Sequence, residues 1–244
     1  MNKKCILVNS PSGYGKTAAL RNLDYSKYIY CNLDGKSELP FGGEDKFFKF
    51  ITPNRAMDVV NSLQAFEDSD AEGIIIDTLS FLIMMLEQEL VLDEDNGYQG
   101  WADYAEAIKK ILVFANNKSK KNWIFLSHTQ EGIGKNTQAF CKGSVKNISI
   151  EAWFSTVLEL YTYDLAEPNM FGSIIGYGFL TKKTIENRGT SAKSPIGFFP
   201  KDGKILNNDL SLVFDALDNR GSVDWEDNKI LFEKDIKLAK ELGL

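Results

Sequence analysis

The chain has 244 residues, of which 43% are hydrophobic, and its formal net charge is −6. This length is ample for one large α/β domain, and the negative charge argues against a protein that coats nucleic acid with its whole surface. No apolar run reaches membrane-spanning length, and the apolar residues after the basic start are too few for a signal peptide, so we expect a cytoplasmic protein with no membrane partner. The widely spaced cysteines Cys5, Cys31 and Cys141 do not fit a disulfide framework or a zinc site.

The first strand-like run, residues 5–8, leads into a Gly-rich segment at 10–17 that reads SPSGYGKT, and then into helix-favouring residues. A strand, a Gly-rich turn and a Lys-Thr pair at a helix start are the features of a phosphate-binding loop. Lys16 would reach the β- and γ-phosphates of ATP, and the Thr17 hydroxyl would bind Mg²⁺. The predicted nucleotide-binding residues are Ser12, Gly13, Tyr14, Gly15, Lys16, Thr17 and Ala18. A simple turn that caps a helix is the alternative.

Strand-like and helix-like segments alternate along the rest of the chain. The predicted strands cover residues 5–8, 28–31, 46–51, 73–77, 123–127, 157–163 and 176–185. The predicted helices begin with one that Asn54 caps, with apolar positions at 57, 60, 63 and 66, and then cover 79–92, 101–115, 210–217 and 230–242.

This alternation predicts an α/β fold with a mostly parallel central sheet, helices on both faces and an antiparallel C-terminal extension. Residues 1–205 would form the core, and 206–244 a helical tail that packs on the core or extends from it.

Polar residues stand at the carboxyl ends of the predicted strands, where ligands bind in such folds. Asn9, Asp34, Asp77 and His128 occupy these positions, so we expect them to form one site. Asp77 would act with Thr17 on Mg²⁺, in the manner of a Walker B carboxylate. An Asp directly before a helix can also be a simple helix cap, and the two roles are compatible.

ATP hydrolysis also needs groups that act on water and on the γ-phosphate. Asp34 is the first candidate for the carboxylate that polarises water, and Glu38 is the second. His128 or Gln130 would hydrogen-bond the γ-phosphate and sense its loss, although a lone histidine at a strand end is often structural. Arg188 would be an arginine finger that stabilises transition-state charge across a subunit interface; an ordinary solvated arginine is the alternative. The predicted catalytic residues are Lys16, Asp34, Glu38, Asp77, His128, Gln130 and Arg188.

These motifs together resemble those of the RecA-like P-loop ATPases, above all the compact phage-type group that includes RecA-like single-strand annealing proteins. The resemblance rests on 12–17 (SGYGKT), 74–80 (IIIDTLS), 101–104 (WADY), 125–130 (FLSHTQ) and 185–188 (IENR). It implies an ATPase that uses Mg²⁺, forms a homo-oligomer and binds single-stranded DNA in phage recombination, for annealing or strand exchange. A single-strand-binding protein is then a further candidate partner, and the location is the host cytoplasm.

The chain departs from the family pattern at three positions. Ser10 replaces the usual first Gly, Glu186 stands where a Lys is common, and Asp34 takes the place of a Glu. The resemblance also places the family's DNA-binding loop at the acid-free segment 132–150. There Lys135, Lys142 and Lys146 would contact phosphates and Phe140 would stack on a base, unless the segment is only a polar connection.

Two other functions fit the same phosphate loop. A small-molecule nucleotide kinase would need an arginine-rich lid, and the only arginines are Arg21, Arg55, Arg188 and Arg220. A non-hydrolysing, nucleotide-dependent adaptor of a replication or packaging machine would need no water-activating acid. ATP turnover separates these possibilities.

Overall fold

The computed structural model describes residues 3–93, 97–132, 136–143, 149–227 and 232–243. Within these ranges the strands form a sheet in the order β3-β2-β4-β5-β1-β7-β8-β9, with β6 paired to β5. The strands are β1 (Cys5–Ser10), β2 (Tyr28–Asn32), β3 (Lys49–Ile51), β4 (Gly73–Asp77), β5 (Asn122–Glu131), β6 (Thr137–Ala139), β7 (Thr156–Asp164), β8 (Ile175–Leu180) and β9 (Lys204–Ile205).

The six strands from β3 to β7 in this order are all parallel, and β8 and β9 continue the sheet in antiparallel pairing. Parallel strands covered on both faces are expected to be continuously apolar, as β4 is at residues 74–76. Strand β5 lies between β1 and β4, with Ser10 beside His128 and Asp77 beside Leu126. The carboxyl ends of β1, β4 and β5 therefore meet at one edge of the sheet.

Helices cover both faces of the sheet, which confirms the predicted α/β class. They are α1 (Ala56–Asn61), α2 (Leu63–Asp68), α3 (Leu79–Glu87), α4 (Gly97–Val113), α5 (Leu210–Asp218) and α6 (Glu233–Glu241). Helices α1 to α4 pack on one face around Leu7, Ile76 and Phe125. Helix α5 and the short turn after the Gly-rich loop pack on the other face, around Val8 and Leu126.

The segment after the Gly-rich loop is a single 3₁₀ turn, Thr17–Leu20, and not the helix that its sequence predicts. The turn ends where Arg21 and Asn22 form hydrogen bonds with Asp235 of α6. These contacts hold both side chains against the C-terminal tail.

The helix predicted after Asn54 is also different, because it is divided into α1 and α2 at Ser62. Asn54 does not cap it. The carboxylate of Glu89 instead accepts hydrogen bonds from the backbone N–H groups of Ala56 and Met57. A side chain from a neighbouring segment thus satisfies the free N–H groups at this helix start.

Three strand predictions need correction. The edge strand β3 is shorter than predicted, since Glu44–Lys46 forms a 3₁₀ turn before it. Strand β5 extends to Glu131, so His128 lies inside it, and the predicted loop after it contains β6. Strand β8 ends at Leu180 and leaves Arg188 in a turn, whose Gly189 carbonyl accepts a 2.6 Å hydrogen bond from the N–H of Thr137.

The C-terminal segment packs on the sheet domain through two buried or half-buried ion pairs. Lys4 Nζ lies 2.5 Å from Asp218 Oδ1, and Arg21 Nε lies 2.7 Å from Asp235 Oδ1. None of the helices in the described part of the chain is long and apolar enough to cross a membrane.

Candidate functional site

The Gly-rich loop after β1 and the end of β4 contact each other directly. Thr17 Oγ1 donates a 2.8 Å hydrogen bond to Asp77 Oδ2, and the side chain of Asp77 is completely buried. The two residues are far apart in the sequence, so this contact depends on the order of the parallel strands. The predicted proximity of Thr17 and Asp77 is therefore observed, whereas the amide of Asn9, which was expected at the same site, donates to Ser191 Oγ at 3.2 Å.

Lys16 places its ammonium group inside the Gly-rich loop. Its Nζ donates to the Ser10 carbonyl at 3.1 Å, to Ser10 Oγ at 3.1 Å and to the Pro11 carbonyl at 2.9 Å. Burial lowers the pKa of Lys16 to about 8, although the nearby charge of Asp77 opposes the shift. A buried ammonium held by neutral oxygens gains from any anion that enters the loop.

The loop conformation depends on glycine at two positions. Gly13 and Gly15 both have φ of +81°, a region that residues with a side chain rarely adopt. Open space surrounds Gly13, whereas a Cβ on Gly15 would lie 2.9 Å from Asn208 Nδ2 and 3.6 Å from the Tyr177 ring. Ser12 is exposed. The side chain of Tyr14 packs against the apolar residues around Val8 and Leu126, on the face of the sheet that α5 covers.

Asp77 is held by donors on one oxygen only. Besides Thr17, its Oδ2 accepts hydrogen bonds from Tyr30 Oη and from Lys36 Nζ, the latter at 2.9 Å. Its Oδ1 is buried and has no hydrogen-bond partner among the described residues. The cap of α3 is Thr78, which accepts a bond from the Phe81 N–H, so Asp77 is not needed as a cap.

Asp34 lies at the same site, and Glu38 is exposed. Asp34 Oδ2 lies 2.5 Å from Lys36 Nζ, while its Oδ1 is buried without a hydrogen-bond partner in the described part of the chain. The structure therefore brings Asp34, the first candidate for the water-polarising acid, into contact with the lysine that binds Asp77.

Of the two predicted sensors, only His128 contacts the loop. His128 Nδ1 lies 3.3 Å from Lys16 Nζ, and its backbone N–H donates to Ser80 Oγ at 2.8 Å. Burial and the charge of Lys16 lower the pKa of His128, which favours a neutral ring. The Gln130 amide instead donates to Cys141 Sγ at 3.2 Å.

Sequence reasoning missed two members of the site, Tyr30 and Lys36. Burial, followed by the charge of Asp77, raises the pKa of Tyr30, so the phenol stays a proton donor to that carboxylate. Tyr30 lies within an apolar strand and gave no signal of a polar role. Lys36 follows Asp34 after one glycine, so the Asp-Gly-Lys spacing was the available signal.

The predicted DNA-binding residues do not form a free basic surface in the described part of the chain. Lys142 Nζ lies 2.7 Å from Glu87 Oε2. Phe140 packs against the apolar core between the sheet and helices α1 to α4. Lys135 and Lys146 lie outside the described residues. Arg188 is exposed in the turn after β8.

A cavity of about 650 Å³ adjoins the loop at Gly13, Gly15 and Ala18. Its other walls include Tyr177, Asn208 and the side of α6 that carries Asp235 and Leu238. This volume and the mixture of rings with hydrogen-bonding groups are typical of a site for a small organic ligand.

The described residues contain no cluster of three or more His, Cys, Asp and Glu side chains that could hold a metal by itself. A hydroxyl and a carboxylate oxygen, from Thr17 and Asp77, are the donors that Mg²⁺ prefers, and Asp77 Oδ1 is a buried acceptor with no partner among the residues that the structure describes. These residues fit a Mg²⁺ ion that takes its remaining ligands from water and from bound phosphates.

No family model and no curated protein sequence matches this chain. Among solved structures it is similar to the flagellar accessory protein FlaH from Methanocaldococcus jannaschii, with 13% sequence identity and a TM-score of 0.44. The match covers 79% of this chain and 83% of FlaH. A score this low carries no argument about the function of this chain.

Proposed function

We propose that this protein is a RecA-like ATPase that binds and hydrolyses ATP and acts on single-stranded DNA. The observation that carries the ATPase part is the 2.8 Å hydrogen bond from Thr17 Oγ1 to Asp77 Oδ2, with Lys16 in the same loop. A strand, a Gly-rich loop, a Lys-Thr pair and an acid on a nearby parallel strand are the groups that phosphoryl transfer requires.

Each residue then has a definite role toward the nucleotide. Lys16 binds the β- and γ-phosphates, and the N–H groups of the loop hold the remaining phosphate oxygens. Thr17 and Asp77 hold Mg²⁺, which neutralises phosphate charge when bound. Asp34 orients the attacking water, and the neutral ring of His128 hydrogen-bonds the γ-phosphate.

The cavity beside the loop supports a nucleoside triphosphate as the ligand. It begins at Gly13, Gly15 and Ala18, so a molecule whose phosphates lie in the loop would place its nucleoside there. Tyr177, which lines this cavity, offers a ring face for a base.

One observation favours a second function, a nucleotide-dependent adaptor that does not hydrolyse ATP. Asp34 Oδ2 lies 2.5 Å from Lys36 Nζ, so this oxygen already contacts an ammonium group and is not free to contact the attacking water. The two functions differ only in turnover, since both require ATP binding.

The test is ATP turnover by the purified chain with and without single-stranded DNA, beside direct measurement of ATP binding. Lys16→Ala should abolish turnover while the far-UV circular dichroism stays unchanged. Lys201→Ala removes the same charge from an exposed turn and is the control, which should turn over normally. Near wild-type turnover in Lys16→Ala would remove the loop from the proposal, and tight ATP binding without turnover would favour the adaptor.

The DNA part of the proposal rests on the family resemblance and on the acid-free segment 132–150. Among its basic residues, Lys142 is already paired with Glu87, so it must exchange that partner to bind a phosphate. Turnover that rises when single-stranded DNA is added would support the DNA role. Transfer of the γ-phosphate to a nucleoside monophosphate would support a kinase instead.

A further inference from the structure

Lys36 bridges the two carboxylates of the candidate site. Its Nζ lies 2.5 Å from Asp34 Oδ2 and 2.9 Å from Asp77 Oδ2. The side chain of Asp77 is completely buried, and that of Lys36 is 27% exposed. One ammonium group therefore contacts two acids, on the same oxygen of Asp77 that contacts Thr17.

The backbone of Lys36 is fixed by a buried amide at the end of β2. Asn32 Oδ1 accepts from the Lys36 N–H at 3.1 Å, and Asn32 Nδ2 donates to the Lys36 carbonyl at 2.9 Å. Gly35, with φ of +65°, makes the tight turn that brings Lys36 back toward Asp34. The amide and the turn direct Lys36 to the carboxylates, which distinguishes it from a surface lysine with a free backbone.

A divalent cation would bind the same two carboxylates that Lys36 contacts through their Oδ2 atoms. The other oxygen of each carboxylate, Asp34 Oδ1 and Asp77 Oδ1, is a buried acceptor that has no partner among the described residues. Two converging carboxylates and the Thr17 hydroxyl offer the oxygen donors that Mg²⁺ or Mn²⁺ requires. An ammonium group on these donors competes with the metal through charge repulsion and by using the same oxygen.

We propose that Lys36 is a built-in cation that keeps the metal position closed to free divalent ions until a nucleotide arrives. This rests on the proposed function for the identity of the nucleotide. The phosphates bring negative charge into the site, so Lys36 can leave the carboxylates for a phosphate oxygen while the metal takes its place. The metal then binds only together with the nucleotide.

The test measures Mn²⁺ binding to the full chain without nucleotide, by electron paramagnetic resonance of the free ion. Wild type should bind Mn²⁺ weakly, and Lys36→Met should bind it at least about tenfold more tightly because a competing charge is gone. Lys201→Met removes a charge from an exposed turn and should match wild type. The double variant Lys36→Met with Asp77→Asn should lose the gain, which assigns the ion to this site.

The variant Lys36→Arg conserves the positive charge, so it can be measured even if Lys36→Met is unstable. It should bind Mn²⁺ as weakly as wild type does. Equal Mn²⁺ affinity in wild type and Lys36→Met, with both folded, would overturn the inference. So would a Lys36→Arg variant that binds Mn²⁺ tightly. These measurements contain no nucleotide, so failure of the proposed ATPase would show separately, as no ATP binding by wild type in the presence of Mg²⁺.

Discussion

Asp77 illustrates how a single buried carboxylate organises this site. One of its oxygens accepts from a hydroxyl, a phenol and an ammonium group, and the other has no partner among the described residues. Charge-assisted hydrogen bonds of this kind are roughly twice as strong as neutral ones. The carboxylate is therefore held in one orientation, with its second oxygen left for a ligand.

The phenol of Tyr30 is the donor to Asp77 that can be removed with the least change of shape. Tyr30→Phe should lower the free energy of unfolding by about 1.5–3 kcal/mol, because a hydrogen bond to a buried charged group is lost. Urea denaturation measures this change. Tyr98→Phe removes a hydroxyl from a side chain that is 91% exposed and should leave stability unchanged. If the free energy of unfolding of Tyr30→Phe equals that of wild type, the phenol does not stabilise the carboxylate.

At the scale of elements, the C-terminal helix α6 is fastened to the turn that follows the Gly-rich loop. Arg21 and Asp235 form two parallel hydrogen bonds of 2.7 Å each, and Asn22 and Asn207 also donate to Asp235. Burial alone would lower the pKa of Arg21, but its hydrogen bond with Asp235 raises it overall. The loop and the tail therefore form one structural unit.

Asp235→Ala tests how much this unit depends on its ion pair. The variant should lose about 3–5 kcal/mol of unfolding free energy, since it leaves a buried guanidinium without its acid. Limited proteolysis should then cut the tail faster than in wild type. Lys237→Ala changes a residue of the same helix that is 82% exposed and is the control. Equal protease resistance of Asp235→Ala and wild type would mean that other contacts hold α6.

The elements show which parts of the site the sequence could predict. The contact of Thr17 with Asp77 was predictable because carboxyl ends of parallel strands meet at one edge. The contact of Arg21, which follows the 3₁₀ turn, with Asp235 was not predictable, because the two residues lie 214 positions apart in the sequence. The position of Lys36 depends on the Asn32 amide and the Gly35 turn, which strand and helix periodicity do not report.

At the scale of the whole molecule, the homo-oligomer that the family resemblance implies would give Arg188 a role at the interface between subunits. The residue is exposed in a turn, which is compatible with insertion into the site of a neighbouring subunit. In such an assembly each active site is made from two chains, one with the Gly-rich loop and one with the arginine.

Mixing two inactive variants tests this arrangement. Lys16→Ala lacks a working loop and Arg188→Ala lacks the arginine, so each alone should show little turnover. Their mixture should regain a fraction of it, because some interfaces pair an intact loop with an intact Arg188. ATP turnover across a series of mixing ratios measures the effect. A mixture that stays as inactive as its components would place Arg188 outside the neighbouring site.

The pairing of β5 with β6 links two distant parts of the molecule. His128 lies beside Lys16, its carbonyl accepts a hydrogen bond from the Phe140 N–H, and Thr137 at the start of β6 donates to Gly189. Backbone hydrogen bonds therefore run from His128, whose ring contacts Lys16 of the Gly-rich loop, through β6 to Gly189, the residue next to Arg188. In the proposed ATPase, a small displacement of His128 on phosphate release would be transmitted through these hydrogen bonds to Arg188, and in the proposed homo-oligomer it would reach the neighbouring subunit.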